Sequence, residues 1–539
     1  MFDLRDALGE PLVWLLEVRV GEDALRFAQA PVEAPTGPQG ALEPYLQGLD
    51  FSGVVADSVD PFSEAPSAKK VGLTLTLAEG FNIPAMVEAG WDFSAARGRL
   101  WLWSPTTGAL SLMVNGVVRD VEYALPGDPL TCSLEELEED DSALFPPANA
   151  LVSLVTWTTP ADAALGELYP WIIGSPGATT SWVAPALLVD TAGDLLLVAG
   201  HPVQATSVSV VNDDDGTNAI LAVIPTTDGL GRAVSLVDLT ASGITIDPKA
   251  KYFVRWNAAG AGGGLQKPDG SLLSGAGDVL RWMLGHSRLR IDHGRTAAAV
   301  PILNSGFGLD TVIQAAPDAR FSPWDWIADH LLPILPVSVR TSSEGFYPVA
   351  WRLDATADMA VAHLDAPARA TLQTAVSWSR RDDVANELVI HFAQDPREDR
   401  LWGRRVLTGD PLRVADDADA ALNLSCFVSR TRYRDANGQP ETRVKEYTSE
   451  VVEKVGTAAS VLAWWAQRYA LQARLVGYTA DLASVGHLEP GDVVTVTHPD
   501  LAWALRVFLV EEVARGTGGT LDVALRAVED PAQVRKGIP

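Results

Sequence analysis

The six residues from Asn212 to Thr217 place three neighbouring aspartates where a calcium ion would find hard oxygen ligands. If Asp213 held the first position of a twelve-residue calcium loop, the twelfth would be Ile224, where such a loop requires an acid. Short apolar runs lie close on both sides of the segment, which favours the turn of a β-hairpin. We therefore predict a turn, with calcium binding as the open alternative.

Four glycines between residues 260 and 264 suggest a second kind of site, a loop whose backbone amides hold a phosphate. Such a loop needs a helix directly behind it, yet Lys267 is followed at once by a proline. A flexible loop over residues 257–270 explains the glycines better.

Eight histidines are scattered along the chain, and the closest pairs are His286 with His293 and His487 with His498. Even on a continuous helix these spacings mean separations of roughly 10 and 16 Å, too far apart to share one ion. The sequence also lacks GxSxG, HExxH, Walker A and CxxC motifs. Carboxylates are too numerous for a glycosidase pair to be recognised from spacing. We therefore predict no catalytic, cofactor-binding or metal-binding residues, and not an enzyme.

The 17 tryptophans are numerous, and core or interface packing is the favoured explanation for most of them. Trp101 and Trp103 lie two apart on a predicted strand, so they should share one face. Trp464 and Trp465 cannot both face the core from one helix, so we expect one of them to pack elsewhere, as on a neighbouring subunit.

The composition of the 539 residues is that of a folded protein, with 47% hydrophobic and 20% charged residues. The net charge of −28 disfavours tight nucleic-acid binding, although it suits a wall past which DNA slides; plain solubility is the alternative explanation. Cys132 and Cys426 are too few for a disulfide scaffold. Neither a secretory signal nor a membrane-spanning run is visible, which predicts folding in a cytosol.

Alternation of apolar and polar residues with period two dominates the pattern and predicts many short strands. Residues 71–77 alternate in this way, and 100–103 and 110–114 flank a turn at 105–108. A second hairpin is predicted at Asn115-Gly116, a pair that suits a type I′ turn. The acidic run 135–141 is predicted to be a solvated loop at a boundary.

Farther along, further strands and three helices are predicted. The strands are 151–157, 195–199, 207–211, 219–224, 252–256, 388–392, 493–497, 506–513 and 520–527, with a hairpin of 426–433 and 443–447 that turns at Asn437-Gly438. The helices are 279–284, one that begins at Pro323 after the N-cap Ser322, and 457–473.

These elements predict a mainly β protein with some α (α+β), multidomain, with tube-like antiparallel β-barrels and a helix-containing middle domain. The predicted domains are a first tube-like barrel (1–145), a β-rich second domain (146–270), a helix-containing third domain (271–375) and a final domain (376–539) with helix 457–473 and a β-barrel meander.

Ten short segments, in order along the chain, carry a family resemblance. They are 45–49, 59–63, 71–77, 99–103, 165–174, 278–284, the helix that begins at Pro323, 343–351, 380–386 and 488–494. Together they resemble the tail hub proteins (baseplate hub or tail tip) of long-tailed bacteriophages and gene transfer agents. Glu167 and Leu168 depart from the Gly–Pro–Gly strand that usually opens the second hub domain.

The resemblance implies a homotrimer in which each chain supplies two tube-like barrels, so that six barrels match the six-fold tail tube and three-fold symmetry faces the tip. It implies distal tail, tail tube or tape measure, and tip or fibre proteins as partners, with DNA only in passage and no membrane segment. It further implies a place in the virion tail tip after assembly in the bacterial host cytoplasm. Host recognition is then expected to reside in other chains.

Two other hypotheses remain from the sequence. Abundant tryptophans and carboxylates would also suit a tail-associated protein that binds carbohydrate or degrades peptidoglycan or polysaccharide. A β-rich assembly protein unrelated to viruses is the third. The oligomer number, a plug in the channel, and glycan binding by residues 150–270 are left open by the sequence.

Overall fold

The computed structural model places 43% of the chain in strands and 17% in helices, which confirms a mainly β protein with some α. The structure describes residues 11–38, 40–51, 55–58, 70–76, 82–123, 129–136, 143–177, 184–256, 262–342, 345–352, 355–365, 370–372, 376–395, 400–409, 417–435, 437–516 and 520–528. The segment 59–63 of the resemblance, the acidic run beyond Glu136, and residues 257–261 lie outside the described residues.

The first sheet has nine strands in the order β3-β4-β2-β1-β8-β9-β10-β7-β5. The elements of this part of the chain are β1 (Val13–Val20), β2 (Asp23–Ala28), β3 (Val32–Pro35), β4 (Leu42–Gln47), β5 (Leu49–Phe51), β6 (Val55–Ser58), β7 (Lys70–Leu75), helix α1 (Ile83–Glu88), β8 (Arg97–Trp103), β9 (Leu110–Glu122) and β10 (Leu130–Glu136). Alternation gives the sheet one face on a large apolar core, to which Trp14, Leu16 and Val18 contribute from β1.

Gly48 closes this sheet into a barrel, because β4 and β5 are two halves of one segment that pairs with opposite ends of the sheet. β4 pairs with β2 and β5 with β7. Between them, the Gly48 amide donates to Ala28 O (3.0 Å), and Gly48 O accepts from the Thr76 amide (2.7 Å). We call this closed sheet the first barrel.

The second sheet has seven strands in the order β15-β14-β18-β12-β13-β17-β16 around its own apolar core. The elements of this part are β11 (Trp171–Ile173), β12 (Ala184–Asp190), β13 (Leu195–Ala199), β14 (Ser207–Asn212), β15 (Asn218–Ala222), β16 (Ile224–Thr227), β17 (Ala233–Asp238) and β18 (Tyr252–Arg255). β15 and β16 stand at opposite ends of the order yet are separated by Val223 alone, so this sheet also closes on itself.

A helical part fills the middle of the molecule and shares one continuous core from Phe145 to Ala470. Its elements are α2 (Ala276–Leu284), α3 (His293–Asn304), β19 (Thr311–Ile313), α4 (Pro323–His330), β20 (Val337–Ser342), β21 (Gly345–Ala350), β25 (Glu387–Asp395), β26 (Arg400–Leu407), α5 (Asp417–Arg432), β27 (Val444–Thr448) and α6 (Val455–Tyr469). Strand β19 pairs with β11, which joins this part to the second sheet. None of the described helices is long and apolar enough to cross a bilayer.

The last sheet has the order β22-β29-β30-β31-β28-β23, and we call it the last barrel. Its elements are β22 (Ala362–Asp365), β23 (Ala370–Leu372), β24 (Ser377–Trp378), β28 (Arg474–Asp481), α7 (Leu482–Val485), β29 (Val493–His498), β30 (Trp503–Arg515) and β31 (Thr520–Ala527). β22 and β23 stand at the two ends of the order and follow each other in the chain, as β4 and β5 do. The predicted domain division at 145, 270 and 375 stays a prediction.

Several local predictions are confirmed. Helix α4 begins as expected, with the Ser322 side chain accepting from the Asp325 amide (2.9 Å) and Pro323 in its first turn. Helix α2 ends at Gly285, and α6 covers most of the predicted 457–473. The strands predicted at 195–199, 207–211, 388–392 and 520–527 are present.

Four predictions of local structure are wrong. Glu135 and Glu136, predicted to begin a solvated loop, form the end of strand β10, and Glu136 is buried. β9 runs straight through Asn115-Gly116; a Cβ at Gly116 would lie 1.8 Å from Glu135 O, so this glycine allows close approach of β10 and forms no turn. Residues 426–432 are the end of helix α5, so the predicted hairpin of 426–433 and 443–447 does not form, although the chain does turn at Asn437-Gly438, where the Gly438 amide donates to Asp435 O (3.0 Å). Residues 444–447 belong to β27, which pairs in parallel with β25. Residues 151–157 form turns held by hydrogen bonds between Ser153 and Thr156.

Candidate assembly site

The first and last barrels share one topology. The order β5-β7-β10-β9-β8 in the first matches β23-β28-β31-β30-β29 in the last, and in each case a helix, α1 or α7, follows the first full strand. β9 and β30 are also the longest strands, with 13 residues each. The chain therefore contains this five-stranded arrangement twice; beyond it the barrels differ, because β1 pairs antiparallel with β8 whereas β22 pairs in parallel with β29.

Register fixes the correspondence residue by residue. Gly72 of β7 lies opposite Ser133 of β10, as Gly477 of β28 lies opposite Ala524 of β31. The surrounding sequences then align without a gap. Residues 71–75 read Val-Gly-Leu-Thr-Leu, and residues 476–480 read Val-Gly-Tyr-Thr-Ala. So short a match is not evident in the sequence alone and becomes apparent only once the strands are paired.

Strand β6 joins the two barrels directly. It leaves the first barrel after β5 and pairs with residues 512–515 at the end of β30, with Val55 opposite Arg515 and Ser58 opposite Glu512. β31 occupies the other side of that stretch of β30. Backbone hydrogen bonds thus hold the two barrels side by side within one chain.

One outer side of each barrel is small and polar. On the first barrel it carries Thr74 and Thr131, which lie opposite each other on β7 and β10. On the last barrel the equivalent pair is Thr479 and Asp522, whose side chains share a hydrogen bond of 2.7 Å. On the same side, the pKa of Glu512 is raised, mainly because its carboxyl group is partly buried and also because the Glu511 carboxylate is close. These sides carry hydroxyls and carboxylates beside glycine and alanine.

The opposite outer side of the first barrel is apolar and covered. Trp101 and Trp103 share that face, as predicted, and both are buried beside Tyr45. Burial, together with the nearby Glu17 carboxylate, raises the pKa of the Tyr45 hydroxyl to about 12. Glu17 is itself buried and paired with Arg26 (3.0 Å). Because this side is already covered, the polar side is the one available for a channel or a partner.

The prediction that one of Trp464 and Trp465 packs away from the core is wrong, since both are buried within the chain. Helix α6 packs against α5 as well as against β25 and β26, so it has more than one buried face. The Trp465 indole donates to Pro333 O (3.0 Å), and the Arg468 guanidinium lies 4.9 Å from the Trp464 ring. Among the described tryptophans, Trp378 and Trp402 are the strongly exposed ones.

The aspartate segment forms the turn of the β14–β15 hairpin, as predicted. The Asp215 carboxylate accepts from the Thr217 hydroxyl (2.6 Å) and amide (2.9 Å), and these bonds lower its pKa. Among the described residues, no three acidic, histidine or cysteine side chains are placed to hold a metal ion.

The described glycines of the cluster allow close backbone contact. The Gly264 amide donates to Gly174 O (2.7 Å), and a Cβ at Gly264 would lie 2.2 Å from Ile172 O. Gly263 O accepts from the Ala205 amide (3.0 Å). The Gly264 amide is therefore engaged by backbone, which leaves this glycine no role in a phosphate loop.

Two histidines lie in an aromatic cluster that joins the second sheet to the helical part. The His286 ring is 4.9 Å from Phe145 and 4.7 Å from Trp282. His201, which sequence analysis did not single out, lies 5.2 Å from the Trp171 ring and accepts from the Ile172 amide (3.0 Å). Burial lowers the pKa of His201 to about 4 and lowers that of His286 as well. Both rings pack against aromatic neighbours in this cluster, and His293 begins helix α3.

Comparison with known proteins gives likenesses only among solved structures. No family model matches the chain, and no curated protein matches it. A tail protein from Neisseria meningitidis is 10% identical over 98% of this chain and 99% of its own, with a TM-score of 0.37. The prophage MuSo2 tail protein from Shewanella oneidensis is 10% identical over 96% and 98%, with a TM-score of 0.33.

A chain from a gene transfer agent virion is 14% identical over 45% of this chain and 78% of its own, with a TM-score of 0.18.

Proposed function

We propose that this chain is a structural subunit of a phage-type tail, a baseplate hub or tail-tip protein that forms a ring, and that it acts without catalysis. The observation that carries the proposal is the duplicated barrel held together by β6. A chain with two equivalent barrels doubles the symmetry that its ring presents to a neighbour.

Three copies then supply six barrel positions, which suits a six-fold tail tube on one side and a three-fold tip on the other. The helical part, present once in each chain, would keep the three-fold symmetry. A closed ring satisfies each interface without leaving an edge exposed. In this proposal the neighbours are a distal tail protein, tube or tape measure protein, and tip or fibre proteins.

The polar outer sides of the barrels are proposed to line the channel. They present Thr74, Thr131, Thr479 and Asp522, which are short and hydrophilic. With a net charge of −28 per chain, such a wall would repel phosphates and let DNA pass with little adhesion. The proposed place of the assembled ring is the virion tail tip, after folding in the host cytoplasm.

The test is the mass and symmetry of the native particle. Light scattering should give three times the 57.5 kDa of one chain, and electron microscopy should show six barrels around a central opening. Antibody labelling of intact particles should mark the tail tip. A purified chain that stays monomeric at every concentration, or a label on the capsid, would contradict the proposal.

A further inference from the structure

In the described part of the chain, the end of strand β9 in the first barrel has a partner strand on one side only, whereas the equivalent stretch of β30 in the last barrel also pairs with β6. The pairing registers show which residues of β9 and β30 are equivalent. Val117 lies opposite Glu135 in the first barrel, and Leu509 lies opposite Arg526 in the last. The residues that follow Val117 at the end of β9 therefore correspond to the stretch of β30 that pairs with β6.

β10 covers one side of Val121. On its other side the β8 pairing ends at Arg97, and Ala96 O accepts from the Val118 amide (2.8 Å); residues 93–96 then lie beside β9, and no strand of the described part of the chain pairs with residues 119–122 there.

The exposed side chains of this edge are two carboxylates (Asp120 and Glu122), the Arg119 guanidinium and the Tyr123 ring. Asp120 and Glu122 are exposed, and Tyr123 is 40% exposed directly after the strand. Asp120 also accepts from the Ser133 hydroxyl (2.9 Å), which fixes its carboxylate beside β10. We call residues 119–123 the open edge of the first barrel.

The matching position on the last barrel is basic and aromatic. β5 and β23 correspond, so Trp378 stands close to the point where, in the first barrel, the chain departs towards β6. Trp378 is 46% exposed, with the Arg432 guanidinium 4.9 Å and the Arg474 guanidinium 5.8 Å from its ring. Among the described residues no carboxylate pairs with Arg432, which is exposed. Arg380 is exposed nearby in the sequence.

We propose that Trp378 and its flanking arginines on one copy of this chain dock onto the open edge of the first barrel of a second copy. This inference rests on the proposed ring. Within one chain, β6 already makes the contact from the first barrel to the last. Repeating that relation around a ring brings the last barrel of one copy against the first barrel of the next.

Reach and charge both fit this partner. In the first barrel β6 meets the neighbouring barrel within a few residues of β5, and Trp378 occupies the matching place after β23 with its ring exposed. Arginines beside a tryptophan complement Asp120, Glu122 and Tyr123 through ion pairs and ring stacking. In a chain of net charge −28, this basic surface offsets the repulsion between sister copies.

Charge reversal tests the contact. R432E should raise the concentration at which the ring dissociates by roughly tenfold or more, and adding E122R should recover much of the loss. K249E, which makes the same charge change at an exposed site of the second sheet, is the matched control and should leave the ring intact. A ring of R432E as stable as that of K249E would overturn the inference.

Cysteine pairing gives an independent measurement. The native Cys132 and Cys426 are buried, and burial raises the pKa of both thiols to about 12, so they should not interfere. Oxidised E122C/W378C protein should run as covalent trimers, whereas either single variant should not. A monomeric wild-type chain would sink both proposals. An intact wild-type ring without these crosslinks would sink only this contact and leave the proposed function standing.

Discussion

Replacing Gly48 with alanine should open the seam of the first barrel. The backbone of Gly48 has φ +145°, a region that L-residues rarely adopt, and a Cβ there would lie 1.9 Å from Thr76 O. The alanine can therefore be accommodated only if the start of β5 moves away from the end of β7. Such a movement breaks the hydrogen bonds that Gly48 makes to Ala28 and Thr76.

The size of the effect follows from these parts. Two hydrogen bonds worth roughly 1 kcal/mol each and a backbone strain of about 1–3 kcal/mol give a loss of about 3–5 kcal/mol in local stability. Gly21→Ala is the matched control, because Gly21 also has a positive φ (+63°) in the same barrel but a Cβ there meets nothing within 4 Å. It should cost about 1–2 kcal/mol.

Native-state hydrogen exchange isolates this seam from the rest of a large chain. The Thr76 amide should exchange at least roughly 100-fold faster in Gly48→Ala than in the wild type, since 1.4 kcal/mol corresponds to a factor of ten. In Gly21→Ala this amide should change little. Equal exchange of Thr76 in the two variants would refute the closure at Gly48.

Three further predictions concern groups buried inside the chain. Because burial lowers the pKa of His201 to about 4, the unfolded chain takes up the proton first, and stability should fall by about 3 kcal/mol between pH 6.5 and 4; His201→Gln should remove that part of a urea-unfolding pH profile. Burial of Asp228 favours the neutral acid, but hydrogen bonds from Arg232 outweigh it and lower the pKa below 3.8, so this stabilisation is complete above pH 3.8 and lost below; Asp228→Asn should flatten the profile only there. Trp465→Phe should cost about 1–3 kcal/mol in thermal melts, because Pro333 O loses its donor. A pH profile unchanged by either polar substitution, or a melt unchanged by the last, would contradict the corresponding assignment.

The sequence predicted helices and strands correctly where a local signal is compatible with only one kind of structure. The cap at Ser322, the proline behind it and the alternation of 520–527 each determine an element without help from the rest of the chain. Asn115-Gly116 failed because glycine serves two purposes, turning and close approach, and only the position of Glu135 on β10 decides between them. The end of α5 failed because Cys426 and Val428 suit a strand, while packing in the helical core holds them in a helix.

The candidate site was hidden for a different reason. Its defining feature is a relation between strands some 400 residues apart, and the two strands share only Val-Gly and the threonine two residues later, at 71, 72 and 74 and at 476, 477 and 479. Barrel walls tolerate many apolar substitutions as long as alternation is kept, so a duplicated fold outlasts a duplicated sequence. Pairing register, and not residue identity, therefore carries the information.

The duplication also explains how one chain could face two symmetries at once. In the first barrel the connection from β5 to β7 is short and holds β6, whereas the equivalent connection of the last barrel, residues 373–473, holds α5, α6 and the sheet of β25, β26 and β27. The proposed trimer would repeat the shared barrel six times but this insertion only three times. A neighbour with six-fold symmetry would then contact only the barrels, and a neighbour with three-fold symmetry would contact the insertions. If the barrels were separate chains, nothing would ensure that barrels with and without the insertion alternate around the ring. In this protein the covalent link and the β6 pairing place one barrel of each kind side by side in every copy.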